Sequence, residues 1–401
     1  MLKALDDLLM RWIKAIMVFR ITTFVIIILI SPSLFIAINQ SFSERTFVYV
    51  SNGKDGDISV MKLDIETADM EMVEKIPAGQ NVKHMAISPD NKFLYASIRS
   101  APFSVISYSI DSETGSLTQI SKELLPDNMV YISTDHTGRY LLSVSNNNAK
   151  IVVNQISQNG SVQAQPVQVI STDPNPHSIL VDSSNRFAYV PHLGNDKIKQ
   201  FLFNENLGIL TPNHPKEVNT IEGSGPRHLE FSPDNRFVYV SNEIDGTVNS
   251  YKINNKTGIL SEIQRISAMP YGMIDELSSN SASEGNESMI KDIKGSNLGV
   301  ADIHITPNGK WLYVSERTNS TIAAFAVDLL LGNLTYIGNF ETEKIPRGIN
   351  IDPKGNFVIA AGEESGDISV HAINQENGKL ELLGRYESGR GPNWVEIIEF
   401  Q

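Results

Sequence analysis

The stretch GPRHLEFSPDNRFVYVSNE, residues 225–243, places charged side chains at both ends of an apolar hairpin. Arg227 and His228 open its first strand, and Glu243 follows its second. In an antiparallel hairpin, the residue entering the first strand and the one leaving the second lie side by side, opposite the turn. An arginine there can hold an anion, and a carboxylate or imidazole can take a proton from water. The stretch therefore predicts acid–base chemistry on an anionic ligand.

The hairpin motif recurs along the chain, and this recurrence predicts the fold. Each copy has an alternating strand, a turn such as Pro-Asp-Asn or Pro-Asn-Gly, and a second strand rich in aromatic and β-branched residues, with a period of roughly 50 residues. The other copies are KHMAISPDNKFLYASIR, YISTDHTGRYLLSVSN, HSILVDSSNRFAYVPHL, ADIHITPNGKWLYVSER and RGINIDPKGNFVIAAGE. A second, weaker hairpin follows in each unit, so that each unit has the four antiparallel strands of a propeller blade.

The two ends of the repeat predict how the ring closes. Thr46–Gly53 matches the second strand of the motif without a first strand before it, and Gly391–Phe400 matches the first strand without a second after it. Pairing the two would hide both exposed edges. We therefore expect an all-β fold, a seven-bladed β-propeller of four-stranded antiparallel blades, closed by pairing of the C-terminal strand with the N-terminal strands.

The two end positions of each hairpin collect basic residues at one mouth of the predicted ring. The entering positions hold Lys83, Val130, His177, Arg227, Ala301, Arg347 and Asn393, and the leaving positions hold Gly53, Arg99, Asn146, Leu193, Glu243, Arg317 and Glu363. Further histidines lie one register away or near the turn: His84, His136, His228 and His304. In a chain with a net charge of −13, a basic collar indicates an anionic small-molecule ligand. A single arginine at a strand end is usually a solvated charge, but five cations in register favour a site.

Composition excludes several function classes. The net negative charge and the lack of a basic patch argue against nucleic-acid binding. The chain has no cysteine, so disulfides, thiolate metal sites and a cysteine nucleophile are excluded. It also lacks HExxH, GxSxG and P-loop motifs, so neither a metal nor a cofactor is expected. Beside Arg227, Glu243 is either a salt-bridge partner or a base that activates water.

The N-terminus is separate from the repeat. Ile21–Ala37 is almost wholly apolar and follows Arg11, Lys14 and Arg20. Residues 1–43 therefore form a cleaved signal peptide or a retained membrane anchor, unless the start codon is mis-assigned. The first two alternatives place the protein in the periplasm or on the inner membrane, and the third in the cytoplasm. Any membrane contact is expected through this segment alone.

Residues 44–401 form the predicted propeller, which we expect to be a monomer. Between about 268 and 298 the spacing of the repeat widens around SSNSASEGNES. This polar, low-complexity run predicts a surface loop that is either a spacer or a lid over the site.

From about Thr46 to Phe400 the chain closely resembles the bacterial propeller-type 6-phosphogluconolactonases. The segments that carry the resemblance, in matching order and spacing, are STDHTGRY, IEGSGPRHLEFSP, VSNEIDGTV, ADIHITPNGKWLYVSERT, IPRGINIDPKGNFVIAAGE and GRYESGRGPNWV. The resemblance implies a seven-bladed propeller that hydrolyses 6-phospho-D-glucono-1,5-lactone to 6-phosphogluconate in the pentose phosphate pathway. The related carboxymuconate lactonising enzymes use His, Glu and Arg residues whose counterparts here are His177, Arg227, Glu243 and Arg317.

The collar and the resemblance together assign roles. Arg227, Arg317 and Arg347, with Lys83 or Arg99, are expected to hold the phosphate and polarise the lactone carbonyl, while Glu243 or His177 deprotonates water. His228, His136 and His304 are expected to contribute to substrate binding.

Two alternatives remain open at the level of sequence. One is an exported propeller of the YVTN type that acts as a non-enzymatic binding or scaffold module. The other is a lactonase for a sugar lactone without phosphate, because an exported enzyme would not meet a phosphorylated cytosolic substrate.

Overall fold

The computed structural model describes residues 44–270 and 299–401. Residues 1–43, with the predicted signal or anchor, and residues 271–298, most of the predicted insert, lie outside the described residues. Arg45–Phe400 forms one compact unit. Among the described residues, no helix is long and apolar enough to cross a membrane.

The described residues fold into seven four-stranded antiparallel sheets, which confirms the predicted all-β propeller. Inner strands of successive blades contact one another around the axis, as β16 with β20 and β20 with β24 do. With the inner strand of each sheet given first, blade 1 consists of β28 (Pro392–Phe400), β1 (Arg45–Asn52), β2 (Asp57–Leu63) and β3 (Met70–Pro77), and blade 2 of β4 (Val82–Ile87), β5 (Phe93–Ile98), β6 (Ser104–Ile110) and β7 (Leu117–Leu124). Blade 3 consists of β8 (Tyr131–Thr134), β9 (Tyr140–Ser145), β10 (Lys150–Ile156) and β11 (Val162–Ser171), blade 4 of β12 (Leu180–Val181), β13 (Phe187–His192), β14 (Lys197–Asn204) and β15 (Ile209–Asn219), and blade 5 of β16 (Pro226–Phe231), β17 (Phe237–Asn242), β18 (Thr247–Ile253) and β19 (Leu260–Ser267). Blade 6 consists of β20 (Val300–Ile305), β21 (Trp311–Glu316), β22 (Thr321–Val327) and β23 (Leu334–Glu341), and blade 7 of β24 (Pro346–Ile351), β25 (Phe357–Gly362), β26 (Asp367–Ile373) and β27 (Leu380–Glu387).

The ring closes where the two ends of the repeat predicted. β28 pairs antiparallel with β1, with Val395 opposite Val50 and Phe400 opposite Arg45. The last strand of the chain therefore supplies the inner strand of blade 1. Both edges that an open ring would expose are paired.

Side chains within the turn between the first two strands of each blade stabilise it. In blade 4, Asp182 Oδ1 accepts hydrogen bonds from the backbone N–H groups of Arg186 at 3.0 Å and Phe187 at 2.8 Å. Asn185 has a φ of 57° in this turn, a left-handed conformation that asparagine tolerates better than most residues. Asn235 has a φ of 58° at the equivalent place in blade 5. This requirement explains why Asn or Gly recurs in the turns of the repeat.

Neighbouring blades are joined by an aromatic ring that packs on a glycine. Gly258 has a φ of 71°, and a Cβ built on it would lie 2.2 Å from the ring of Phe187 in the preceding blade. Tyr189 of that blade donates from its hydroxyl to Gly258 O at 2.8 Å. Gly115 and Phe47 repeat the arrangement between blades 1 and 2. The core is thus distributed between blades, and its regularity fixes the inner strands around the axis.

Candidate active site

The mouth of the ring lies where inner strands begin and second strands end. In blade 5, Pro226 at the start of β16 is opposite Asn242 at the end of β17. Glu243 is therefore opposite Gly225, with its backbone N–H bonded to Gly225 O at 2.8 Å, and β16 bulges at Arg227. The bulged Arg227 meets Glu243 through its side chain, with Arg227 Nε 2.6 Å from Glu243 Oε2. This contact confirms the predicted position of the two charges.

Glu243 is the centre of one cluster, which we call the Glu243 cluster and define as Arg227, Glu243 and Arg317. Arg317 Nη2 lies 3.1 Å from Glu243 Oε1. The side chain of Arg227 is only 2% exposed and that of Glu243 15%. Burial alone would raise the pKa of Glu243, but the charges of Arg227 and Arg317 outweigh it and lower that pKa. Glu243 is therefore ionised at neutral pH.

The arginines of this cluster are held in place by backbone carbonyls and by Glu243. Arg227 Nη1 donates to Ala301 O at 2.8 Å, and Arg317 Nε donates to Gly299 O at 3.1 Å. Arg227 Nε and Arg317 Nη2 are ion-paired with Glu243, but neither makes an aligned hydrogen bond within the described part of the chain. Both groups are buried against the Glu243 carboxylate, so a ligand would meet the other N–H groups of the two guanidinium groups.

Glu363 is the centre of a second cluster, the Glu363 cluster, which we define as Lys83, Arg347, Glu363 and Asn393. Lys83 Nζ lies 2.7 Å from Glu363 Oε1, and Arg347 Nη1 lies 3.3 Å from Oε2. The hydrogen-bond network orients the Asn393 amide oxygen toward Lys83 Nζ and Arg347 Nε, at 3.2 Å from each. Burial would raise the pKa of Glu363, but the charges of Arg347 and Lys83 lower it to about 2.

Arg99 adds a third cation beside the Glu363 cluster. Its Nε donates to Asn128 Oδ1 at 2.8 Å. Burial, together with the positive charge of Arg347, lowers the pKa of Arg99 to about 10, so it remains charged at neutral pH. Arg99 and Arg347 line the same axial pocket as Arg227.

His177 differs from the other ionisable side chains of the mouth because it is not paired. The inner strand of blade 4 is broken, since Pro176 makes an isolated bridge with His192 and regular pairing resumes only at Leu180. His177 lies in this break, its backbone N–H bonded to Pro191 O at 3.0 Å. Its Nδ1 is buried without a hydrogen-bond partner among the described residues. Burial and the charge of Arg227 hold the pKa of His177 well below its usual range, so the imidazole is neutral at pH 7.

The pocket floor is made by the residues that follow the entering positions. His84 stacks between Tyr131 and Trp394, with ring centroids 3.8 and 3.7 Å away. His228 lies beside them, 5.2 Å from Tyr131 and 5.7 Å from Trp394. These four rings close the channel beneath the cations. His84, His228 and Trp394 line the pocket together with His177 and Arg227.

A buried aspartate fixes the orientation of His228. Arg227 Nη1 lies 3.0 Å from His228 Nε2, and His228 Nδ1 lies 2.8 Å from Asp302 Oδ1. Since a guanidinium only donates, Nε2 must accept, and Nδ1 carries the proton donated to Asp302. Burial and the Arg227 charge lower the pKa of His228 to about 4. A series of hydrogen bonds thus runs from Asp302 through His228 in the floor to Arg227 of the Glu243 cluster.

A collar of cations over an aromatic floor, with two ionised carboxylates and neutral histidines that include His177, is suited to an anionic ester. The family model described as Lactonase, 7-bladed beta-propeller matches residues 46–397 of this chain. The chain belongs to the seven-bladed propeller lactonases. This membership confirms the predicted family and makes the protein a lactone hydrolase.

Two relatives and one solved structure are similar to this propeller lactonase over most of its length. The 6-phosphogluconolactonase of Serratia proteamaculans is 38% identical over 355 residues, which are 88% of this chain and 99% of that protein. The 6-phosphogluconolactonase of Yersinia enterocolitica is 34% identical over 354 residues, 88% of this chain and 98% of that protein. The solved structure of a periplasmic gluconolactonase from Pseudomonas aeruginosa has a TM-score of 0.76 at 24% identity, covering 89% of this chain and 99% of that one. This last likeness shows the fold alone.

Two of the histidines predicted to bind substrate do not lie at the mouth of this lactonase. His304 is two residues deeper along β20 than Asp302, and its Nε2 contacts Asp302 Oδ2 at 3.3 Å beneath the aromatic floor. Its Nδ1 lies 3.6 Å from Glu230. His136 lies in the turn between β8 and β9, at the opposite end of the hairpin, where its Nε2 contacts Val181 O at 3.1 Å. Both separations follow from strand direction, because each residue along a strand moves about 3.3 Å from the mouth.

The structure also shows site residues to which the sequence analysis gave no role. They are Glu363 and Asn393 in the second cluster, and Asp302, Tyr131 and Trp394 in or under the floor. The sequence did contain a signal for the floor residues. Asp302, Tyr131 and Trp394 directly follow the entering positions Ala301, Val130 and Asn393, so the same alignment read one residue further collects the floor. Among the described residues, no group of three or more His, Asp or Glu side chains is arranged to hold a metal ion.

Proposed function

We propose that this lactonase hydrolyses 6-phospho-D-glucono-1,5-lactone to 6-phosphogluconate. The observation that carries the proposal is the division of the mouth into two charge clusters with an unpaired, neutral histidine in the same pocket. The relatives named 6-phosphogluconolactonase support the same substrate.

The region around Glu363 is suited to the phosphate. Three cations, Lys83, Arg99 and Arg347, surround the single carboxylate of Glu363, which leaves two positive charges uncompensated. A phosphate monoester carries about −1.5 to −2 charges at pH 7. Burial lowers the pKa of Lys83, and the nearby Arg347 charge adds to that effect, so an arriving dianion would stabilise the charged collar.

The Glu243 cluster is suited to the lactone carbonyl. Arg227 and Arg317 exceed Glu243 by one positive charge, which matches the single negative charge of a tetrahedral oxyanion. Arg227 Nη2 and Arg317 Nη1, which do not face Glu243, can donate to that oxygen as charge develops on it. Glu243 lies between two arginines, and its own pKa is lowered. It is therefore suited to orienting the arginines rather than to accepting a proton.

His177 is the proposed base. As water attacks the lactone carbonyl carbon, its proton moves to the neutral imidazole, and the carbonyl oxygen becomes the oxyanion. When the bond from that carbon to the ring oxygen breaks, the imidazolium returns the proton to the ring oxygen, which becomes a hydroxyl. The product carboxylic acid then loses its own proton to solvent. The low pKa of His177 makes its imidazolium a good acid for the second step.

An assay of both sugar lactones tests this proposal. The purified protein should hydrolyse the phosphorylated lactone with a higher kcat/KM than plain glucono-δ-lactone, each corrected for spontaneous hydrolysis. Equal kcat/KM values would mean that the site does not recognise the phosphate, although it hydrolyses the lactone. No acceleration of either, with an intact fold by circular dichroism, would contradict it.

The cellular location and the oligomeric state are proposed from the sequence alone. We propose that residues 1–43 export or anchor the chain, that the propeller is a monomer, and that a cytosolic population would serve the pentose phosphate pathway. N-terminal sequencing of the mature protein from separated cell fractions tests the first point. A molar mass from light scattering above that of one chain would contradict the second.

A further inference from the structure

The face opposite the mouth, which we call the turn face, carries a run of leucines that the core does not use. Leu329, Leu330 and Leu331, in the turn between β22 and β23, are 45%, 79% and 60% exposed. Leu207, in the equivalent turn of blade 4, is 61% exposed. Three consecutive exposed apolar residues are unfavourable in water unless a function needs them.

The backbone of this turn is firmly held, so the leucines form a fixed tip. Asp328 Oδ1 accepts hydrogen bonds from the backbone N–H groups of Leu330 and Leu331 at 2.8 and 3.0 Å. Arg236 of the preceding blade donates to Leu329 O. Gly309 lies beneath Leu329, because a Cβ built on the glycine would be 3.3 Å from the leucine side chain. The tip therefore presents apolar side chains outward without having to rearrange.

Basic side chains surround the tip although the chain as a whole is acidic. Leu330 lines one surface hollow with Arg236, Lys252 and Lys256. Lys310 lies next to it on blade 6, where its carbonyl accepts from Val327 N at 2.9 Å. Two carboxylates offset these four cations, but Asp234 is paired with Arg236 at 2.5 Å, and Asp328 is hydrogen-bonded within the turn.

The turns of blades 1 and 2, on the same face, are rich in carboxylates. The turn of blade 1 carries Asp64, Glu66 and Asp69, and that of blade 2 carries Asp111 and Glu113. Basic side chains such as Lys62 and Lys92 occur there too, but the sector that bears the leucines has four cations against two carboxylates. Such pairing of an exposed apolar tip with a basic surround is the pattern of proteins that rest on anionic lipid.

The start of the propeller lies on the same face. β1 runs from Arg45 to a turn at the mouth after Asn52, so Arg45 is at its opposite end, ion-paired with Glu113. The sequence before Arg45 includes the apolar stretch Ile21–Ala37. A lipid surface at the turn face would leave the mouth open to solvent on the far side.

We propose that the leucine tip, Leu329–Leu331 with Arg236, Lys252, Lys256 and Lys310, docks on an anionic lipid surface. A convex tip of leucines fits the disordered boundary between headgroups and acyl chains, whereas a protein partner would need a groove to receive it. The proposal is independent of the lactonase site, since none of these residues contributes to the mouth.

A single fluorescent label can test the docking in the full chain. Since the protein has no cysteine, Leu330→Cys can carry an environment-sensitive dye without further change. Leu124→Cys is the matched control, because Leu124 is 60% exposed and lies at the mouth end of β7, opposite Ser104. The probes are vesicles of equal parts phosphatidylglycerol and phosphatidylethanolamine, and vesicles of phosphatidylcholine alone.

We expect the emission of the dye at position 330 to shift to the blue on the phosphatidylglycerol vesicles, while the dye at position 124 does not respond. Adding Lys256→Gln and Lys310→Gln to the labelled protein should weaken this response about fivefold per lysine, since each cation near such a surface contributes about 1 kcal/mol.

Three outcomes would overturn the proposal: a water-like emission at position 330 on both kinds of vesicle, an equal shift on phosphatidylcholine, or a blue shift without lipid that increases with protein concentration. The last would indicate contact between two copies of the chain. All these substitutions are on exposed side chains, so lactonase activity serves as the check that the fold is intact.

Discussion

Two carboxylates at equivalent positions of blades 5 and 7 face the same pocket in different ways. Glu243 is 15% exposed and, among the described residues, its side chain is ion-paired with two arginines, one of them 2% exposed. Glu363 is 22% exposed and touches one lysine and one arginine, both of which also donate to Asn393. Both have lowered pKa values because neighbouring cations outweigh their burial. Their shared charge state shows that neither is a strong base at neutral pH.

The difference between the clusters lies in what surrounds them. The Glu243 cluster adjoins His177, whose Nδ1 has no partner within residues 44–270 and 299–401, and Arg227 is held by the hydrogen-bonded pair of His228 and Asp302. The Glu363 cluster has Arg99 beside it and an excess of positive charge. We therefore assign bond-breaking to the first and recognition of the phosphate to the second, and the variants below test that division.

The largest effect is expected at the base. His177→Asn should lower kcat by about 10²–10⁴, the usual contribution of a positioned base, with little change in KM. The matched control is His214→Asn on the outer strand of blade 4. In the wild-type protein, activity is lost only when His177 becomes protonated. Because its pKa is held well below 6.5, kcat/KM should remain flat from pH 7 to about pH 6. A drop centred near pH 6.5 would contradict the assignment.

The next effect separates the two carboxylates by stability. Glu243→Gln leaves buried Arg227 without its counter-charge, which should cost about 3–5 kcal/mol of unfolding free energy. Glu363→Gln should cost less, because Lys83 and Arg347 are more exposed. Urea unfolding measures both, and equal losses would remove the distinction.

The pH dependence of stability has a definite sign. Both carboxyl pKa values are lower in the folded state than when unfolded, so their stabilisation is complete above about pH 4.5. It is lost as the pH falls through the folded values, about 2 for Glu363. The wild-type protein should therefore lose stability between pH 4.5 and 2 more steeply than the double glutamine variant.

A third variant tests phosphate recognition. Arg347→Ala removes one charge-assisted contact of about 1.5–3 kcal/mol and should raise KM for the phosphorylated lactone about 10- to 150-fold. KM for plain glucono-δ-lactone should stay the same. Lys344→Ala, a variant at an exposed lysine paired with Glu364 on the same blade, is the control. An equal rise for both lactones would mean that Arg347 binds the ring.

The smallest effect is expected beneath the floor. Asp302→Asn should lower kcat/KM by roughly tenfold, because His228 loses its charged acceptor, worth about 1.5 kcal/mol, and no longer holds Arg227 in place. Nitrogen NMR of His228 should show the Nδ1–H tautomer in the wild-type protein and a mixture in the variant. Asp367→Asn, on β26, is the control. An unchanged tautomer with reduced activity would contradict the positioning role.

The fold and the position of the Arg227–Glu243 pair were predictable because they depend on local rules. Turn chemistry and alternation set each hairpin and place Arg227 and Glu243 at the same end of it, where a bulge at Arg227 completes the contact. The closing pair of β28 and β1 followed from two half-motifs at the ends of the repeat. None of these inferences needs a knowledge of side-chain conformations.

The pairing within the mouth was not predictable in the same way. Which cations reach Glu363 depends on rotamers and on the curvature that brings Lys83 of blade 2 to Arg347 of blade 7. Pro174, Asn175 and Pro176 marked the break before β12, but the lack of a partner at His177 Nδ1 among the described residues depends on side-chain conformation. His304 and His136 were grouped with the mouth by residue type, although their distance along the hairpins already placed them deeper or at the far end.

A crystal structure with the product 6-phosphogluconate tests the central claim most directly. The account predicts the phosphate within hydrogen-bond distance of Lys83, Arg99 or Arg347, and the carboxylate against Arg227 and Arg317 with His177 beside it. Phosphate bound by Arg227 and Arg317, or a product bound outside the mouth, would contradict it.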